Sequence, residues 1–273
     1  MNIVIKDLEI LTDKPVTLVP LSDLHIGHID CDRQYLEDTV AWIKKKGAIT
    51  CLVGDVIDAI GMRDKRFEVN SLDPFFLPCL DQLYQKQVEV LLDIIKPIED
   101  QILWIMTGNH ETTIKKRSTF DAIELIASAL DIPILTDPGY TVLRFRTSAT
   151  SCNLKIWASH GCFLGGRYRG GKINNLERVG QYFPGCDLYM AGHTHDKWII
   201  EGHQVRLTNK LKIEERRCYF ANTGAFLRTY QEKNTDTWAS RSVFSPQVPG
   251  CTRFDCYLKR RKDNDTRYID VHG

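Results

Sequence analysis

Five short apolar runs in this chain each stop at a residue able to bind a metal ion, and that repetition limits the fold more than any other feature. Val16–Leu21 is followed by Asp23 and His25, and Ala48–Val53 by Asp55. Ile102–Met106 leads to Asn109 and His110, Leu154–Ser159 to His160, and Asp187–Met190 to His193 and His195. Runs of this length and composition predict buried β-strands. Ligand sites in α/β sheets form beyond the carboxyl ends of strands. Eight histidines scattered at random would not collect at such ends.

Between the strands the pattern changes to helical spacing. Asp32 is placed to cap a helix over Gln34–Lys46, which Gly47 would end. A longer helix is expected from Leu80 to Ile95, stopped by Pro97, and another from Phe120 to Leu130. The N-terminal Met1–Asp7 reads as a first strand and not as a signal peptide. After Pro138 strands dominate, interrupted by a helix near Ile173–Tyr182. Further strands are expected at Trp198–Glu201, Lys210–Ala221, Arg253–Leu258 and Thr266–Val271. The last two form a hairpin around Lys262–Asp265. The economical architecture is one α/β domain over residues 1–273, closed by antiparallel strands. Its β-rich part, 205–273, either completes a second sheet or covers the cleft.

The 273 residues carry a net charge of +1, so no global field draws the chain to nucleic acid or acidic membranes. No run has the apolar length of a membrane span. The nine cysteines are an odd number without a Cys-x-x-Cys pair, and several sit in strand-like runs. They read as small hydrophobes in a reducing compartment, which makes the cytoplasm the expected location.

Two carboxylates, an amide carbonyl and neutral imidazoles form a mixed oxygen and nitrogen donor set, for which no thiolate is needed. Such a set suits Mn²⁺, Fe, Zn²⁺, Co²⁺ or Ni²⁺. Two such ions about 3.5–4 Å apart would lower the pKa of a shared water and neutralise phosphate oxygens during in-line displacement.

Asp23-Leu24-His25, Gly54-Asp55, Gly108-Asn109-His110-Glu111, Ser159-His160-Gly161 and Gly192-His193-Thr194-His195 resemble the five ordered motifs of the calcineurin-like metallophosphoesterases. The resemblance implies a four-layer α/β/β/α sandwich with mixed sheets and a centre of two divalent ions. Mn²⁺ is the first expectation there, with Fe, Zn, Ni, Co or Mg as alternatives. It places Asp23, His25 and His195 on one ion, Asn109, His160 and His193 on the other, and Asp55 between them. It makes His110 the group that assists the leaving oxygen, with Asp58 as its orienting partner. Glu111 is expected to brace the loop. Asn222-Thr223-Gly224 resembles the family's Asn-Pro-Gly turn, with Thr223 in place of proline.

For the substrate, Gly161–Lys172 brings Arg167, Arg169 and Lys172 directly after His160, with glycines that permit close approach; these three are the candidate phosphate-binding residues. Tyr168 could stack on a base. Arg63, Lys65 and Arg66 follow the second motif and could line the same cleft. The run Lys259–Lys262 reads as a solvated edge. The protein phosphatases carry arginines where this chain has Thr107 and Ala59. Their absence favours phosphodiesters, such as nucleotides or nucleic-acid ends, over phosphomonoesters or phosphoproteins. A lipid-nucleotide pyrophosphatase fits less well, because that branch has Gly-Asn-Arg-Asp in place of Gly-Asn-His-Glu. A metal-binding platform without catalysis is the reading from another class.

Overall fold

The computed structural model describes residues 1–9, 14–146, 151–207, 211–230, 245–260 and 267–272. In chain order the elements are β1 (Ile3–Glu9), β2 (Val16–Leu21), α1 (Arg33–Lys46), β3 (Ile49–Val53), α2 (Leu83–Ile95), β4 (Ile102–Met106), α3 (Asn109–Ser118), α4 (Ala122–Leu130) and β5 (Ile134–Leu135). There follow β6 (Gly139–Arg146), β7 (Ser151–Ser159), α5 (Arg169–Tyr182), β8 (Leu188–Ala191), β9 (Lys197–Leu207), β10 (Ile213–Ala225), β11 (Gly250–Cys251), β12 (Phe254–Arg260) and β13 (Arg267–His272).

Two mixed sheets stack face to face. One runs β13-β12-β2-β3-β4-β5 and the other β1-β6-β7-β8-β10-β11, with β9 paired to β10. The period-two alternation of the strands assigns their faces. Along β3, Ile49, Cys51 and Val53 enter the core between the sheets, while Leu52 joins the core under the helices. Along β7 and β8, Ile156, Ala158, Leu188 and Met190 face the other sheet, and Trp157, Tyr189 and Ala191 pack toward α5. Helices α1, α2 and α4 cover the outer face of the first sheet through Leu36, Val40, Leu91, Ile123 and Ile126. Leu176 and Val179 of α5 cover the second. The four-layer α/β/β/α order is the expected one.

Local signals hold where the sequence gives a stop or a cap. The Asp32 side chain accepts the N–H of Tyr35, and Gly47 ends α1 in the left-handed conformation. Some expected boundaries move, and one helix was not expected. The helix expected from Leu80 begins at Leu83, after a 3-10 stretch over Pro74–Gln82 that contains Pro78. The helix expected from Ile173 begins at Arg169, so Arg169 and Lys172 lie on a helix and not in a loop. Helix α3 is not apparent from periodicity, because only Glu111 and Ile114 of its residues are buried. The C-terminal strands divide between the sheets: β10 pairs with β8, and β12 with β2. The hairpin of β12 and β13 is present, while the connecting residues 261–266 lie outside the described ones. Among the described residues, no helix is long and apolar enough to cross a membrane.

Candidate metal centre

The carboxyl ends of β2, β3, β4, β7 and β8 deliver Asp23, His25, Asp55, Asn109, His160, His193 and His195 to one place. Five of these seven have positive φ: Asp23 52°, His25 47°, Asp55 49°, His193 67° and His195 58°. The left-handed region costs a residue with a Cβ about 1–2 kcal/mol. Such strain persists only where surrounding contacts over-determine it, and it gathers at functional sites. Glycines make the close approach possible. A Cβ on Gly108 would stand 2.1 Å from Asp55 Oδ1, and one on Gly192 2.1 Å from Ser22 Oγ.

Each carboxylate commits one oxygen to the frame and turns the other inward. Asp23 Oδ2 accepts the N–H of His193 at 2.9 Å and the Ser22 hydroxyl, whereas Oδ1 is buried without a hydrogen bond. Asp55 Oδ1 accepts the N–H of His110 at 2.9 Å, and Oδ2 lies 3.2 Å from His160 Nε2 and 4.0 Å from His25 Nε2. His195 Nε2 is 3.4 Å from Asp23 Oδ1 and 3.3 Å from His25 Nε2. Donor atoms of Asp23, His25 and His195 thus gather in one group, and those of Asp23, Asp55 and His160 in an adjoining one.

The donor chemistry fits divalent cations. His160 Nδ1 donates to the Val53 carbonyl at 2.9 Å, which fixes the tautomer and turns the Nε2 lone pair inward. The inward atom of the Asn109 amide lies 3.0 Å from His160 Nε2, 2.8 Å from His193 Nδ1 and 3.2 Å from Asp55 Oδ2. With the amide oxygen inward, acceptors face acceptors around a common centre, which is unfavourable unless a cation lies among them. With the amide turned, the NH₂ takes that place, so the orientation depends on what occupies the centre.

The electrostatics suit the same purpose, since metal ligands must be ionised carboxylates and neutral imidazoles. Burial pushes the Asp23 carboxyl up, but His195 outweighs it and holds the group below its usual range. Burial of Asp55 is likewise overcome, by His160 and His110, and that carboxyl falls well below its usual range. Burial lowers His25, helped by His110, and lowers His193, helped by His160. His160 goes the other way: burial opposes its charge, but Asp55 raises it well above the ordinary value. The pull on a proton there is also a pull on a cation.

His110 Nδ1 hydrogen-bonds the main-chain carbonyl of Asp58, while the Asp58 carboxyl Oδ1 is 3.8 Å away. The contact from Asp58 is thus made by its backbone. Its carboxyl lies between two imidazoles, 3.7 Å from His25 Nδ1, and both of those atoms lack a hydrogen bond. Burial lowers His110, but the Asp55 and Asp58 carboxylates outweigh it and raise the group.

A cavity of about 580 Å³ opens over the centre. Arg66 lines it with Nη1 3.5 Å from His110 Nε2, its guanidinium held by Asp64 at 3.0 and 3.2 Å. Arg63 lines a different hollow, and Arg167 and Arg169 are exposed without lining this one. Lys172 does line it, but is buried and donates to Asp196 at 2.7 Å. Tyr168 is 84% exposed, away from the cavity wall.

Several residues support the centre without facing it. Glu111 accepts the N–H groups of Asp55, Ile57 and Gly108 at 3.1, 3.2 and 2.9 Å, which ties the second motif to the third. Burial, with the Asp55 carboxylate, pushes its carboxyl up to about 7. Asp137 accepts the His160 N–H at 3.1 Å, and Asn222 donates to the Gly192 carbonyl at 3.1 Å and to Thr194 Oγ1 at 2.9 Å. Glu111 and Asn222 belong to recognisable motifs; Asp137 gave no signal. His28 lines the cavity too, with Nδ1 accepting the Asp30 N–H at 3.0 Å.

Residues 17–197, more than half of the chain, match the calcineurin-like phosphoesterase family. A stretch of 106 residues is 31% identical to the DNA polymerase II small subunit of Thermoplasma acidophilum, covering 36% of this chain and 20% of that protein. The chain thus spans about a fifth of the length of the curated relative it matches. Among solved structures, the Plasmodium inner-membrane-complex anchor GAP50 aligns at 12% identity and a TM-score of 0.43, over 94% of this chain and 88% of that one. Vps29 of Chaetomium thermophilum aligns at 11% identity and a TM-score of 0.34, over 94% and 96%.

Proposed function

The chain belongs to the calcineurin-like phosphoesterase family, and on that premise we propose that it hydrolyses phosphate esters at a centre of two divalent ions. The supporting observation is the arrangement of the seven donors: an unbonded, buried Asp23 Oδ1 and an Asn109 amide ringed by acceptors. Asp23, His25 and His195 would hold one ion, Asn109, His160 and His193 the second, and Asp55 both. Bound cations supply Lewis acidity, which makes a water molecule nucleophilic near neutral pH and offsets the charge on phosphate oxygens.

The remaining work falls to the chain's own groups. His110, with Nδ1 tied to the Asp58 carbonyl, turns Nε2 toward Arg66 and the cavity and can give a proton to the leaving oxygen there. The neighbouring carboxylates keep it protonated at a higher pH than a free imidazole. Arg66 offers a guanidinium to a phosphate oxygen, and Asp64 holds it ready.

The phosphodiester preference rests on Thr107 and Ala59 standing where protein phosphatases carry arginine. The name of the Thermoplasma relative, a DNA polymerase small subunit, supports keeping nucleic acid among the substrates to test. Arg66 is the observation favouring the second reading, a phosphomonoesterase, because it brings a guanidinium to the site from another position.

The test is turnover of bis-p-nitrophenyl phosphate and p-nitrophenyl phosphate by Mn²⁺-loaded protein. Asp55→Asn and His193→Ala are expected to abolish both activities. Undiminished turnover in the variants would overturn the two-ion reading, and none in the wild type with any metal would favour a non-catalytic platform.

A further inference from the structure

Cys162 departs from the donor set that the motifs predict. Eight of the nine cysteines are buried or half-buried, and Cys162 is exposed. Its position is fixed by the backbone. Gly161 has φ 102°, and a Cβ there would meet the Gly192 carbonyl at 2.9 Å. This conformation folds the chain back into a short 3-10 turn, Cys162–Leu164, closed by the Leu164 N–H on the Gly161 carbonyl at 2.9 Å and anchored by buried Leu164. Cys162 Sγ is thereby brought 3.9 Å from Asn109 Oδ1. One donor atom each from His160, Cys162 and His193 lies within 4.8 Å of the others.

Two donors on one ion stand no further apart than the sum of their bond lengths, about 4.4 Å for a thiolate at ~2.3 Å and an oxygen at ~2.1 Å. The Sγ–Oδ1 separation meets that limit, and an exposed side chain can rotate the small remaining distance toward the two imidazoles. Resting on the two-ion reading, we propose that Cys162 is a further ligand to the ion held by Asn109, His160 and His193. The thiol proton passes to solvent as the sulfur–metal bond forms. The two halves of the centre then differ in kind. The Asp23, His25 and His195 half offers only oxygen and nitrogen, whereas the other contains sulfur and favours zinc, cobalt or cadmium over magnesium or manganese.

The experiment titrates metal-free protein with Co²⁺ and records its absorption. Wild type should show visible ligand-field bands together with a near-ultraviolet thiolate-to-cobalt charge-transfer band. Cys162→Ser and Cys162→Ala should keep the visible bands and lose the charge-transfer band, and Cys31→Ser should keep both. In the same variants Cd²⁺ affinity should fall about tenfold or more, while Mn²⁺ affinity changes by about twofold or less. A wild type with ligand-field bands and no charge-transfer band overturns the assignment, as does a band that survives in both Cys162 variants. Absence of any cobalt bands removes the two-ion reading as well, so the two failures are distinguishable.

Discussion

Glu111 Oε2 accepts the main-chain N–H of Asp55 at 3.1 Å, so a residue of the third motif sets the backbone of a carboxylate of the second. The same carboxyl takes two further main-chain donors, Ile57 and Gly108. It is a buried group that serves the centre without facing it.

Its ionisation gives a pH dependence with a definite sign. Glu111 has its carboxyl raised from 4.5 to about 7, first by burial and then by Asp55. An acid raised on folding destabilises the fold when ionised. The cost is absent below about pH 4.5, grows through the window from 4.5 to 7 and is complete above it, on the order of 3 kcal/mol. Metal-free wild type should therefore lose more stability between about pH 5 and pH 8 than Glu111→Gln, read from urea midpoints. Parallel profiles would show that Glu111 does not titrate in this window.

Gly108 tests how closely the frame fits Asp55. A Cβ there meets Asp55 Oδ1 at 2.1 Å and Asp55 N at 2.2 Å, so Gly108→Ala must displace the Asp55 loop. Mn²⁺ affinity by calorimetric titration should fall about 10–100-fold, as when other supports of metal ligands are lost. Gly165→Ala, where a Cβ meets nothing within 4 Å, should leave it unchanged. Equal affinities in both variants would mean that the contact carries no constraint.

The strand ends were legible because buried strands are apolar runs and the candidate ligands are the polar residues that interrupt them. The α1 boundaries were legible because Asp32 and Gly47 act locally. What was missed depends on contacts distant in sequence. Asn109–Ser118 carries few apolar residues, and its start is held by Glu111, which also bonds a loop 56 positions away. Lys172 reads from the sequence as an open phosphate ligand, whereas Asp196, 24 positions on, engages it. Arg66 reads from the sequence as a possible cleft residue and does line the cavity; only its pairing with His110, 44 positions on, is a contact that no motif reports.

Arg66 decides between the two substrate readings. Its guanidinium is held by Asp64, whose carboxyl is lowered to about 2 chiefly by Arg66 itself, and Arg117 lies 3.2 Å from the same carboxyl. A monoester dianion gains more from this charge than a diester monoanion. Arg66→Ala should lower kcat/KM for p-nitrophenyl phosphate about 10–100-fold, the range expected for loss of a hydrogen bond to a charged group. The loss for the bis ester should be smaller. Equal losses would count against a role in reading phosphate charge.

Metal removal should be visible in stability before any substrate is added. Without cations, the centre buries two carboxylates beside imidazoles, and Asp23 Oδ1 has no hydrogen bond to offset its burial. An ion that binds only the folded chain adds about 2.7 kcal/mol at a hundredfold excess over its Kd. Mn²⁺ should therefore raise the thermal midpoint of the wild type, and EDTA should return it to the metal-free value. Asp55 is the ligand both ions would share, so Asp55→Asn should lose most of that increment. The variant also removes a buried charge, which acts in the metal-free state as well. The comparison that isolates binding is thus the difference with and without Mn²⁺ within each protein, followed by scanning calorimetry. A wild-type midpoint indifferent to Mn²⁺, Zn²⁺ and EDTA alike would overturn the assignment of these seven residues as ligands.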